Sequence, residues 1–369
     1  MTANLISRQP GASADTALVT RGLTKLYAPR GRAAPVRAVD GLDLEVAQGE
    51  LVAFLGPNGA GKSTTLRMLT TLVPPSSGTA QVAGFDVARE QRQVRRSIGY
   101  VGQGNGAGHQ QLGRDELISQ GRAHGLSRRA AHARADELVA ALDLEAVARR
   151  KVSTLSGGQR RRLDIAMGLV HLPRILFLDE PSTGLDPQNR ANLQRLVERL
   201  HAETGSTIVL TTHYLEEADA LAERVVVIDR GRVIADDTAS RLKGGLGDHV
   251  VLTFADDRAA AGAADRASRI DGDPTVERSG TVLRLRARNA HAAVPELLVD
   301  LASAGLAASS VEVTRPTLDD VFLQITGRSL REANEETAGT GDETDAGTAE
   351  EDTGRAPEPD ATTDDEEAA

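Results

Sequence analysis

The sequence predicts an α/β layered fold followed by a small α+β module, and three observations carry that prediction. RILFLDE (174–180) and TIVLTTH (207–213) contain uninterrupted apolar runs with the length and branched side chains of buried parallel strands. A third such run, LVAFL (51–55), feeds a glycine-rich turn, GPNGAGKST (56–64), and then the helical pattern TLRMLTTLV. From about Asp248 onward the pattern changes to β-α-β-β-α-β, the order of a ferredoxin-like module.

The elements follow in order. Residues 1–16 lack periodicity and are expected to form a flexible leader. ALVTRGL (17–23) reads as a strand, followed by a Pro/Gly/Arg loop, APRGRAAP. DLEVAQGELVAFL reads as two strands joined at a glycine turn. AQVAGFDV (80–87) adds further strand after the turn PPSSG. Between about 104 and 165 the spacing becomes three and four, with Ala and Arg interleaved, as in RRAAHARADELVAALDLEAVARR; this predicts a helical insertion. VVVIDRGRVIAD reads as a hairpin turning at Arg230-Gly231. These segments place one α/β domain over 17–240. A second module over 245–328 runs HVVLTFA, an Ala-rich helix, the hairpin PTVERSGTVLRLRA, the helix HAAVPELLVDLASAG, SSVEVTR and the short helix TLDDVFLQITG. From 329 to 369 large apolar side chains nearly vanish, and the composition predicts a disordered acidic tail.

Composition narrows the chemistry. Aromatics are 2% of the 369 residues, so the cores must be built from Ala, Val, Leu and Ile. There is no cysteine, which excludes disulfides, thiolate metal sites and cysteine nucleophiles. The N-terminus lacks the basic-then-apolar pattern of a signal peptide, and no window reaches the ~18–20 apolar residues of a membrane helix. The net charge of -10 is concentrated: Glu332–Ala369 holds 15 acidic residues against Arg355 alone, leaving the remainder at +4. The body is mildly basic and the acidity sits in a tail; no nucleic-acid partner is expected.

Lys is scarce in this chain, so Lys62 inside a glycine loop calls for an explanation. Gly56, Gly61, Lys62 and Ser63 fit G-x-x-x-x-G-K-[ST], between a strand and a helix as that motif requires. The backbone N–H groups of Gly56, Pro57-Asn58, Gly59, Ala60, Gly61, Lys62, Ser63 and Thr64 (all but the proline) can curl around phosphate, helped by the helix dipole. Lys62 adds charge at the β- and γ-phosphates, and the Ser63 hydroxyl can ligate Mg²⁺. Asp179 and Glu180 end an apolar strand, where two acids are costly unless an ion or substrate uses them. Asp179 is expected to face Mg²⁺ and Glu180 to polarise the attacking water.

A second glycine turn opens a helix at LSGGQRRRLD (155–164). Leu155, Ser156, Gly157, Gly158 and Gln159 match the signature of the ABC ATPase family, which the chain resembles from about Ala17 to Ser240. The resemblance implies a P-loop fold with a RecA-like core, an antiparallel β subdomain and a helical subdomain. It implies that two domains pack head to tail, each signature capping the ATP on its partner's loop. Gln103 after SIGYVG matches the family's Gln loop, which touches Mg²⁺. Asp186 in STGLD matches the loop at the dimer seam, His213 the histidine contacting the γ-phosphate, and Tyr27 the aromatic that stacks on adenine. Gly102 stands where many relatives have Pro. GNGAGHQQLGRDEL is a glycine-rich departure in the region that meets the membrane partner.

THYLEEAD (212–219) and RPTLDDVFLQITG (315–327) further resemble the ATP-binding subunits of daunorubicin/doxorubicin-resistance exporters. That resemblance implies a homodimeric ATPase on the cytoplasmic face of the membrane. It would couple ATP hydrolysis to export of a hydrophobic compound through a separate polytopic permease. The alternative is a soluble ABC-type switch in translation or DNA maintenance. Such machines carry paired ATPase modules, long coiled coils or zinc cysteines, and none of these is in the sequence.

Overall fold

The computed structural model describes residues 16–28, 35–104, 106–108 and 110–341. The leader up to residue 15, most of the Pro/Gly/Arg loop and the acidic stretch 342–369 lie outside the described residues.

In chain order, β1 (Thr16–Tyr27), β2 (Val36–Ala47) and β3 (Leu51–Leu55) precede α1 (Lys62–Leu69). Next come β4 (Ser77–Val82), β5 (Phe85–Asp86), α2 (Gln91–Ser97) and β6 (Ile98–Val101). The expected helical insertion contains α3 (Gly113–Ala123), α4 (Arg128–Ala141) and α5 (Glu145–Ala148), and continues into α6 (Gly157–Leu169). Strands resume with β7 (Ile175–Asp179), α7 (Pro187–Thr204), β8 (Thr207–Thr212), α8 (Leu215–Leu221), β9 (Arg224–Asp229) and β10 (Arg232–Asp237). After α9 (Ala239–Gly244) follow β11 (Asp248–Thr253), α10 (Asp257–Ala267), β12 (Thr275–Ser279), β13 (Val282–Ala287), α11 (Ala290–Ser303) and β14 (Ser310–Thr314). Two helices, α12 (Leu318–Thr326) and α13 (Leu330–Gly341), end the described chain.

Three sheets result. The central one has the order β10-β9-β3-β8-β7-β6; every pairing is parallel except the β9–β10 hairpin. Strands β3, β7 and β8 are buried along their whole length because α6, α7 and α8 cover one face and α1 with strands β1, β2 and β4 covers the other, which is why they read as unbroken apolar runs. Phe54 and Phe177, two of the few aromatics, are fully buried on one face of this sheet. A second, antiparallel sheet has the order β2-β1-β4-β5. The third has the order β12-β13-β11-β14 with antiparallel pairing throughout, which is the ferredoxin-like topology expected from the sequence. Its inner face packs Val250, Leu252, Leu283 and Leu285 against the alanine side of α10 and against α11.

Two expectations need correction. The short helix α12 does not pack with the third sheet. Its Leu318, Val321 and Phe322 join the core shared by the central sheet and the helical insertion, and it contacts α8 and α9. The chain therefore leaves the ATPase core at α9, builds the ferredoxin-like sheet and returns, so the proposed 245–328 module is not self-contained at its end. The second correction concerns residues 330–341, which are helical rather than disordered. Acidic composition concealed two local signals. Ser329 and Glu332 form a reciprocal capping box, with Ser329 N donating to Glu332 Oε2 at 2.7 Å and Glu332 N donating to Ser329 Oγ at 3.2 Å. Leu330 and Ala333, 2% and 1% exposed, supply the apolar anchor.

Candidate functional site

Parallel strands deliver the chemistry to one edge. The register pairs Leu55 with Thr212 and Asp179 with Thr211, so the ends of β3, β7 and β8 lie side by side. Gly56, Glu180 and His213 are each the residue just beyond these ends, and Gln103 follows β6 two residues on. Open α/β sheets collect ligands at these carboxyl ends.

The glycine loop enters α1 through Gly61, whose φ of +102° is costly for any other residue. A Cβ there would come within 2.3 Å of the Ala38 carbonyl oxygen. Lys62 is 3% exposed. Its Nζ donates to the carbonyls of Gly56 (2.7 Å) and Pro57 (2.9 Å) and lies 3.8 Å from Glu180 Oε1. Burial lowers its pKa to about 8, against the opposing pull of Glu180 and Asp179.

The Ser63 hydroxyl donates to Asp179 Oδ1 at 2.8 Å, and Gln103 Nε2 donates to Ser63 Oγ at 3.3 Å. Asp179, fully buried, also accepts from Thr211 Oγ1 (2.8 Å) and Tyr100 OH (3.4 Å). Glu180 N donates to Thr211 Oγ1 at 2.9 Å, so one threonine fixes both acids. Glu180 has φ +44°, a strained value for a side-chain-bearing residue, and such strain is kept where surrounding contacts over-determine it. Its Oε2 lies 3.5 Å from His213 Nδ1, which is buried and makes no well-aligned hydrogen bond. Contact with His213 and the nearby Lys62 holds the Glu180 carboxyl below its ordinary pKa despite burial, so it is an anion at neutral pH.

This donor set fits a nucleotide. A buried ammonium, the glycine loop and the start of α1 stand together, the groups that polyphosphate requires. A hydroxyl, a carboxylate and a Gln side chain stand together, the oxygen donors Mg²⁺ prefers. Among the described residues no group of three or more His, Cys, Asp or Glu could hold a metal alone.

The remaining expected residues lie elsewhere. Tyr27 ends β1, 40% exposed, with Lys25 Nζ 5.1 Å from its ring centre. Ser156 is the N-cap of α6 in a capping box: it accepts from Gln159 N at 3.3 Å, and its own N–H donates to Gln159 Oε1 at 3.1 Å. Leu155 is buried, while Ser156 and Gly157 are exposed. The signature does not meet its own chain's Lys62 in any described contact. Asp186 caps α7 by accepting from Asn189 N at 2.9 Å.

Sequence reasoning missed Thr211, Tyr100, Arg161 and Glu217. Thr211 had a signal, since it is a polar residue inside a buried apolar strand. Arg161 reaches three carbonyls, those of Pro181 (2.8 Å), Gly102 (2.6 Å) and Asp179 (3.0 Å). Glu217, 1% exposed, accepts from Ser182 Oγ at 3.0 Å and ties α8 to the turn after β7.

The family model described as ABC transporter matches residues 39–183. The chain is 43% identical over 326 residues to the daunorubicin/doxorubicin resistance ATP-binding protein DrrA of Streptomyces peucetius, covering 87% of this chain and 97% of that protein. The chain belongs to the ABC transporter ATP-binding family. It is 44% identical to the daunorubicin resistance ATP-binding protein DrrA3 of Streptomyces coeruleorubidus, across 87% of this chain and 99% of that one. It is 35% identical to the linearmycin resistance ATP-binding protein LnrL of Bacillus subtilis, across 80% and 95%. Among solved structures, the dimeric post-hydrolysis state of the ATP-binding cassette MJ0796 bound to ADP and Pi aligns with a TM-score of 0.55 and 27% identity, covering 60% of this chain and 98% of that one. The chain is therefore an ATP-hydrolysing ABC subunit. No helix among the described residues is long and apolar enough to cross a membrane.

Proposed function

We propose that this chain powers export of a hydrophobic drug or antibiotic through a separate polytopic permease, working as a homodimer held at the cytoplasmic face of the membrane. The observation that carries this is the pairing of a hydrolytic site with similarity along 97–99% of the length of two daunorubicin-resistance ATP-binding proteins. That similarity extends well beyond the ATPase core and favours transport over a soluble machine.

Within the site, Lys62 and the loop 56–64 hold the phosphates. Glu180, an anion beside His213, accepts a hydrogen bond from the attacking water and orients it, and His213 contacts the terminal phosphate. Ser63, Asp179 and Gln103 would hold Mg²⁺, which neutralises charge on the phosphates when bound. Tyr27 offers an exposed ring for adenine. The exposed turn Ser156–Gly157 at the start of α6 supports a role on the partner's ATP, with Asp186 at the seam. The MJ0796 relative, described as dimeric, supports a dimer.

The experiment co-expresses the chain with a candidate polytopic permease in a drug-sensitive host. The expected result is reduced anthracycline accumulation that depends on Glu180. Accumulation unchanged by either subunit, with ATPase activity intact, would remove drug export from the account.

A further inference from the structure

Helix α13 reaches back over the phosphate loop. The backbone N–H of Asn58, inside GPNGAGKST, donates to the side-chain carbonyl of Asn334 at 2.7 Å. The helix is held there by several contacts. Leu330 and Ala333 are buried with Phe322. Leu330 N donates to Asp319 Oδ1 at 2.8 Å. Arg328 Nη2 donates to both carboxylate oxygens of Asp229, at 3.1 and 3.2 Å. Asp229 is two residues from Gly231, whose N–H bonds the Ala60 carbonyl at 2.8 Å, so the anchor and the loop share one frame. Between α13 and the β8–α8 turn lies an open cavity of about 390 Å³, walled by His213, Tyr214 and Glu216 on one side and Leu330, Asn334 and Glu335 on the other.

An amide oxygen and a phosphate oxygen are alternative acceptors for the same N–H. A donor already bonded at 2.7 Å to one has no comparable bond to give the other. Glu335 at the cavity wall is paired with Arg331, whose Nε donates to its Oε1 at 3.2 Å, so the latch rests on the Asn58–Asn334 bond and not on charge. We propose that α13 is an autoinhibitory latch on the nucleotide site, with Asn334 occupying the Asn58 N–H that the terminal phosphate of ATP must take over. This rests on the reading of 56–64 as the phosphate loop. Binding then selects the unlatched form, and the apparent affinity is reduced by the latched fraction. It follows that ATP entry and release of α13 are one event.

The test measures AMP-PNP affinity with Mg²⁺ on the full chain and two variants at one position. Asn334→Ala removes the competing acceptor and is expected to bind about two- to tenfold more tightly, the range for one hydrogen bond. Asn334→Asp supplies a stronger, charged acceptor and is expected to bind more weakly than wild type. Hydrogen exchange of the α13 amides on the wild-type chain should speed up when AMP-PNP saturates the site. Unchanged or weakened binding in Asn334→Ala, or α13 more protected with nucleotide, overturns the latch. Lys62→Ala separates the two claims. If it retains full affinity, the phosphate-loop reading fails and the latch with it; if it loses affinity while Asn334→Ala is unaltered, only the latch fails.

Discussion

Arg161 offers the sharpest test of how the site is braced. It sits on α6, 7% exposed, and its fork joins the Gln103 loop at Gly102, the end of β7 at Asp179 and the next turn at Pro181. Arg161→Met keeps the apolar stem but leaves three carbonyls without their donor. It also takes the nearest cation from Asp164, which is 5% exposed and whose pKa burial already raises. Hydrogen bonds to a charged group contribute ~1.5–3 kcal/mol each and do not add fully; removing one partner of a buried charged network costs ~3–5 kcal/mol. Against a total stability of ~5–15 kcal/mol, that is a large share. Urea unfolding followed by circular dichroism should show this loss. Arg161→Lys should fall between, since an ammonium keeps the charge without the planar fork. A loss below about 1 kcal/mol in Arg161→Met would refute the bracing argument.

Two further outcomes follow from the same geometry. With its pKa lowered to about 8, Lys62 in the empty site is ~90% protonated at pH 7 and ~10% at pH 9. Phosphate favours the charged form, so nucleotide affinity should be near full at pH 7, fall as pH rises through 8 and be about tenfold weaker at pH 9; titration calorimetry giving equal affinities at pH 7 and 9 contradicts this. Gly158→Ala places a Cβ 2.5 Å from Asn189 Oδ1 and 2.7 Å from its Cγ, an overpacking worth ~1–3 kcal/mol, whereas Gly157→Ala meets only Leu185 Cδ2 at 3.5 Å. Thermal melts should separate the two, with Gly157→Ala close to wild type.

Much of this was legible in the sequence because the relevant signals are local. LVAFL, ILFLD and TIVLTT announce buried strands, and GPNGAGKST must follow such a strand to work. What escaped was non-local. Nothing in QRRRLD distinguishes Arg161, which reaches three carbonyls, from Arg162; helix phase and tertiary packing decide it. The TLDDVFLQITG helix was legible as a helix through its Thr317–Asp320 capping box, but not which core it joins. Net charge hid α13, although S-x-x-E at 329–332 was there to be read. The contact of Asn334 with Asn58 spans 276 residues and has no sequence signature.

The head-to-tail ATP sandwich is the central claim, and light scattering on Glu180→Gln tests it most directly. Saturated with Mg-ATP, this variant should bind nucleotide without turning it over and elute at about twice the 38.9 kDa of one chain. Adding Ser156→Arg should return it to the single-chain mass with nucleotide still bound. A Glu180→Gln protein that stays at 38.9 kDa under saturating Mg-ATP would contradict the account.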